Sequence, residues 1–179
     1  MASIGAVIFS DRLKCPQFYG FTVTEGLVDH WKSSGSKQII FQAELLPVLV
    51  SKRVWQDALS YSRNLWAIDN EGAREGLIRS YSSSWTAREI LLSVNISDIR
   101  SSALDWYLRI PTAANFADLA SRLKFEELLG MGCERVEVRP VCLEDIRCTD
   151  VLAALMAKSG GAVAQGSEAT GGRGFRVAS

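Results

Sequence analysis

The chain reads as an α/β protein, and three stretches carry that reading. Leu65 to Tyr81, LWAIDNEGAREGLIRSY, runs apolar through Ile68, turns polar at Asp69-Asn70, then sets Ala73, Leu77 and Ile78 on one helix face. Ile4 to Phe9 and Phe18 to Val23 are β-rich runs on either side of the turn Lys14-Cys15-Pro16-Gln17, the pattern of a hairpin. Leu104, Trp106, Leu108 and Ile110 alternate with Asp105, Tyr107 and Arg109, which predicts a half-buried strand with its apolar set turned inward. A strand that ends in an acid where a helix begins lies at the sheet edge where ligands collect. Asp69 is therefore the first candidate functional residue, with the N-cap of that helix as its competing role.

Composition narrows the classes. A chain of 179 residues that is 47% hydrophobic can build one domain with a core and has some length to spare. Lys+Arg and Asp+Glu stand at 20 each, so nucleic acid would have to be held by a local groove or a bound metal rather than by a general cationic field. Cys15, Cys133, Cys142 and Cys148 form no C-x-x-C pair and His30 is the one histidine, which argues against structural zinc and for free thiols in a reducing compartment. The opening MASIGAVIFSDRLK has no basic leader before a long apolar core, and no run approaches the roughly 18 apolar residues of a membrane span. A soluble intracellular protein, cytoplasmic or nuclear and without a membrane partner, is expected.

The remaining elements follow in order. Leu27, Val28 and Trp31 suit a short helical turn with Trp31 as a core anchor, ahead of a Ser/Gly loop at 33–36. In IIFQAELLPVLVSKRVW, Leu45, Leu49, Lys52 and Trp55 have helical spacing, and Pro47 fits only the first turn or a kink. Glu44 is thereby placed near the helix N-terminus, where the macrodipole should keep it ionised. Ser82-Ser83-Ser84 would cap a helix from Trp85 to Ile99 that buries Leu91, Leu92, Ile96 and Ile99, with Arg88 and Arg100 on a solvated face. Pro111 stops the alternating strand, and NFADLASRLKFEELL reads as one helix capped by Asn115 with Asp118 in its first turn. Beyond Gly130 a weakly structured extension over 130–158 is expected, with a strand at Glu134–Val141 and a short helix at Thr149–Lys158. The Gly/Ser/Ala-rich stretch from Ser159 is expected to be disordered.

Glu44, Asp69 and Asp118 share one description: each lies at a helix start or a strand end. Clustered carboxylates of this kind are hard oxygen ligands suited to Mg²⁺ or Mn²⁺. Two such ions ~3.5–4 Å apart can activate water and stabilise the leaving oxygen in phosphodiester cleavage.

The order of the motifs resembles the ribonuclease H domain that follows reverse transcriptase in retroelement polyproteins. IGAVIFS is similar to that family's second strand, QAELLPVL to the helix bearing its catalytic Glu, LWAIDNEGA to its fourth strand, and RIPTAANFADLASRL to its closing segment. The likeness runs from about Ile4 to Leu123 and implies a ribonuclease H-like domain over 4–129, a mixed sheet flanked by helices. It implies that Glu44, Asp69 and Asp118 are catalytic metal ligands for one or two Mg²⁺ or Mn²⁺ ions, with Asn70, Asn115 and Arg122 beside them as nucleic-acid contacts. It further implies an RNA–DNA hybrid as partner, recognised through its A-form-like groove and 2′-hydroxyls, and a polymerase domain in the intact polyprotein.

The likeness has gaps. The family's first strand, which carries the most central carboxylate, precedes the IGAVIFS-like strand and is expected to be missing, and Asp11 is on the wrong side to replace it. Its loss should leave a buried sheet edge unpaired and impair or abolish turnover. Thr112-Ala113-Ala114 stands where many members carry a histidine, and His30 lies far upstream, where a structural or exposed role is expected. The alternatives are a non-catalytic nucleic-acid-binding relic and an unrelated α/β interaction domain whose acids are helix caps.

Overall fold

The computed structural model describes residues 2–33 and 39–146. The chain divides into a compact unit, Met1–Cys148, and a second one, Thr149–Ser179. The helix expected at Thr149–Lys158 and the tail expected from Ser159 lie outside the described residues.

The compact unit is a mixed α/β arrangement. Strand β1 (Ser3–Ile8) pairs antiparallel with β2 (Gln17–Thr22), from Ser3↔Thr22 to Ile8↔Gln17. Helices α1 (Glu25–Ser33), α2 (Ile40–Val54) and α3 (Gln56–Leu59) lead to β3 (Arg63–Ile68). Helices α4 (Glu71–Arg79) and α5 (Trp85–Ser101) cross over to β4 (Leu104–Arg109), which pairs parallel with β3. A 3-10 turn at Thr112–Ala114 precedes α6 (Ala117–Ser121), α7 (Phe125–Gly130), β5 (Glu134–Arg135) and α8 (Leu143–Ile146). The strands form two separate sheets, β1-β2-β5 and β3-β4.

Helix α2 is the central support, because apolar residues surround most of its circumference. Leu45, Leu46, Val48, Leu49 and Val50 are all buried, and the helix packs on β1, α4 and α5. Pro47 is in the interior of α2 rather than in its first turn, so the Ala43 carbonyl loses its intrahelical partner. The Pro47 carbonyl accepts a bond from the Tyr19 hydroxyl at 2.8 Å, which ties the helix to β2. Trp31 is fully buried in this core, with α5 contributing Ile90, Leu91 and Val94. On the other face of the hairpin Phe18, Ala120, Leu128 and Cys133 form a smaller cluster. Gly5 and Gly20 make room for it: a Cβ on Gly5 would stand 2.5 Å from the Ala120 carbonyl carbon, and one on Gly20 2.2 Å from the Ala120 oxygen.

Four expectations are corrected. The alternating strand is inverted: Trp106 is 52% and Leu108 48% exposed, while Asp105 and Tyr107 face the helices. The cause is Lys52 of α2, whose Nζ pairs with both Asp98 and Asp105, and Trp66, over which Tyr107 stacks. Leu92 and Ile99 are exposed, because α5 turns Ala87, Ile90, Leu91 and Val94 inward instead. The single helix from Asn115 is two, broken where Leu123 takes a φ of 59°. There Leu123 N–H bonds Ala120 O and Lys124 N–H bonds Leu119 O, the double closure of a Schellman motif made without glycine. Beyond Gly130, β5 adds two residues parallel to β2, and Val141 and Ile146 enter the main core.

A candidate acidic cleft between the two sheets

The cleft follows from the split sheet. Arg12, just beyond β1, donates from Nη1 to the Ser60 carbonyl at 2.6 Å, so the end of β1 lies beside the start of β3. Trp55 at the end of α2 donates from Nε1 to the Gln17 side chain at 3.0 Å, and Gln17 is paired with Ile8. Strand β3 therefore runs back along α2, antiparallel to β1. Between them lies a cavity of about 930 Å³, bordered by both strands along their whole length. Helix α2 contributes Ala43, Glu44, Pro47 and Val48, and α6 contributes Ala117 and Asp118.

Glu44, Asp69 and Asp118 all line this cleft, each from a different element. Glu44 begins the second turn of α2 and has no place among the exposed N–H groups of its first. Its pKa is raised to about 6, first by burial and then by the charges of Asp69 and Asp118. The expected macrodipole effect is thus overruled, and the sign is the reverse of that read from the sequence. Asp69 directly follows β3. The cap of α4 is its neighbour Asn70, whose Oδ1 accepts Ala73 N–H at 2.9 Å, so the competing role proposed for Asp69 belongs to Asn70. Asp118 accepts a bond from Arg122 Nε at 2.9 Å, and this raises the guanidinium pKa.

The three residues expected to touch nucleic acid divide. Asn115 borders the cleft, and its Oδ1 accepts Ala117 N–H at 3.0 Å to start α6. Asn70 is committed to its cap and Arg122 to Asp118, and neither lines the cavity. His30 is a structural residue: its Nε2 lies 2.8 Å from Glu89 and its ring meets Trp85 edge-on.

Oxygen donors of one sign, facing one cavity, fit a hard divalent cation. The spacing is open. Among the described residues no group of three His, Cys, Asp or Glu side chains forms a ready-made cage. Mg²⁺ commonly keeps several waters and takes only one or two carboxylates directly, so wide spacing is compatible with it.

Sequence reasoning missed Lys52, Asp98 and Asp105 as a unit. The Lys52 ammonium is almost fully buried between the two carboxylates and lies 5.0 Å from the centre of the Trp66 ring. Burial raises the Asp98 pKa, and the Lys52 bond opposes that rise. A lysine inside an apolar helical stripe was the available signal.

An acidic cleft between two small sheets, backed by helices, is thus the feature that sets this α/β fold apart. No family model, curated protein or solved structure matches the chain. No helix among the described residues is long and apolar enough to cross a membrane.

Proposed function

We propose that the chain is a ribonuclease H-like domain of retroelement descent that binds Mg²⁺ or Mn²⁺ through Glu44, Asp69 and Asp118, with turnover impaired or lost. The observation that carries this reading is the convergence of Glu44, Asp69 and Asp118 from three elements on one cleft, where burial and then the charges of the other two raise the Glu44 pKa. Mutual repulsion of that kind is relieved by a cation. When bound, such an ion supplies charge stabilisation and an acidified water for phosphodiester hydrolysis. Glu44, half-buried at the cleft, is the group in this chain best placed to orient a water or the ribose 2′-OH beside the ion. Arg122 neutralises part of Asp118 and limits the surplus negative charge that a phosphate backbone would meet.

The motif order and the mixed α/β arrangement support descent from an RNA–DNA hybrid nuclease. Calorimetry with Mn²⁺ and cleavage of a labelled hybrid test the reading together. Metal binding that Asp69→Asn abolishes, with slow or no cleavage, is expected. Absence of metal binding, or cleavage untouched by Asp69→Asn, contradicts it.

A second reading, an α/β interaction domain, is favoured by one observation. Leu65, Trp106 and Leu108 make an apolar sheet face of which Leu65 is 69% exposed.

A further inference from the structure

We propose that Lys52, Asp98 and Asp105 form a proton-operated latch that docks strand β4 on α2 and α5, closed while the two carboxyls share one proton and loosened when that proton leaves. This goes beyond the metal site and does not depend on it. One ammonium serves two carboxyls from two different elements, and the side chains of Lys52, Asp98 and Asp105 are only 4%, 24% and 5% exposed. Fully ionised, the cluster carries one surplus negative charge away from water, which a protein interior tolerates poorly. Among the described residues no second cation pairs with either carboxyl. From β3 come Asn64, whose Nδ2 donates to Asp105 Oδ1 at 2.8 Å, and Trp66, and both are uncharged. From β4 comes Tyr107, whose hydroxyl keeps its proton because burial and the charges of both aspartates oppose its ionisation. On α2 Arg53 is turned to the Asp145 carbonyl, and on α5 Arg100 is exposed. Helix α4, which also packs on β4, pairs Glu71, Arg74, Glu75 and Arg79 among themselves and with Arg109. A proton is the remaining means of neutralising the site. Asp98 and Asp105 are within hydrogen-bond reach of each other, so they hold it jointly.

Strand β4 is the element that such a latch can move. Its apolar side chains, Leu104, Trp106 and Leu108, are exposed, so inward anchoring falls to Asp105 and to Tyr107 stacked on Trp66. A strand docked by a polar cluster rather than by apolar burial opens at a free energy that follows the charge of the cluster. Burial raises the Asp98 carboxyl above the ordinary aspartate range, against the opposing pull of Lys52. A carboxyl raised in the folded chain contributes stability that is complete below the unfolded value and is lost as pH rises through the folded one. The latch therefore closes in acid and loosens in base.

The test is carboxyl NMR of Asp98 and Asp105 together with solvent exchange of the Trp66 indole N–H, recorded on the full chain from about pH 4 to about pH 9. Trp66 Nε1 is buried without a hydrogen-bond partner among the described residues, and its ring lies 5.0 Å from the Lys52 ammonium, so it reports solvent entry at the latch. The fully buried indole of Trp31 in the main core is the internal reference. The two carboxyls are expected to titrate as a pair, with one step above the ordinary aspartate range. Exchange at Trp66, corrected for its intrinsic pH dependence, should rise about tenfold for each pH unit beyond that step while Trp31 stays protected. In Asp98→Asn the ammonium meets a single carboxylate, and both the upper step and the rise should vanish. Ionisation of both aspartates in the ordinary range overturns the proposal, whether or not the variant folds. So does Trp66 exchange that is flat across the upper step, that rises in parallel with Trp31, or that still rises in folded Asp98→Asn.

Discussion

Glu44 holds its proton to a higher pH in the folded chain than in the unfolded one, because burial and two like charges oppose its ionisation. A raised carboxyl pKa contributes stability that is complete below about pH 4.5 and is lost as pH rises through about 6. Glu44→Gln removes that dependence. Urea unfolding should show the variant more stable than the parent by about 1 kcal/mol at pH 7, after allowance for solvent access, and no more stable at pH 4. Lys52 has the opposite character. Truncating it to Met leaves Asp98 and Asp105 facing each other in a largely buried site and should cost about 3–5 kcal/mol, recovered in large part by Lys52→Met with Asp98→Asn and Asp105→Asn. Asp69 and Asp118 were legible in the sequence as a strand end and a helix start, whereas Glu44, expected at the N-terminus of α2, stands in its second turn. The inward face of β4 was not legible. Alternation at period two says that two faces differ, and only the Lys52 partner decides which one is inside.

Elements set where those side chains stand. Asn70, not Asp69, starts α4, so Asn70→Ala should lower stability by about 1 kcal/mol in chemical denaturation while Asp69→Asn leaves it equal or higher. That pair of variants separates a cap from a site residue. Helix α6 is short and is held against the hairpin by the absence of side chains at Gly5 and Gly20. Gly5→Ala should therefore push α6 off the sheet at a cost of about 1–3 kcal/mol, and Asp118 moves with it. Metal affinity measured on that variant should fall although no candidate ligand has been changed. The positions of β1, β2, β3 and α2 follow from local pattern. The α6–α7 break was hidden because a left-handed closure normally advertises itself with glycine, and here Leu123 occupies it.

At the scale of the whole molecule the division of the strands into two sheets is the feature from which the rest follows. It opens the cleft, exposes two strand edges and lets carboxylates from α2, β3 and α6 face a common space. The family resemblance implied an unpaired edge, but the width of the opening and the antiparallel run of β3 against β1 depend on long-range contacts such as Arg12 with Ser60. The most direct test of the common space is an NMR titration of the Glu44 carboxyl with and without Mg²⁺. The account predicts a pKa near 6 in metal-free protein that drops into the ordinary carboxylate range when Mg²⁺ is added, and a smaller metal-free rise in Asp69→Asn. A Glu44 pKa unmoved by both Mg²⁺ and Asp69→Asn would contradict it.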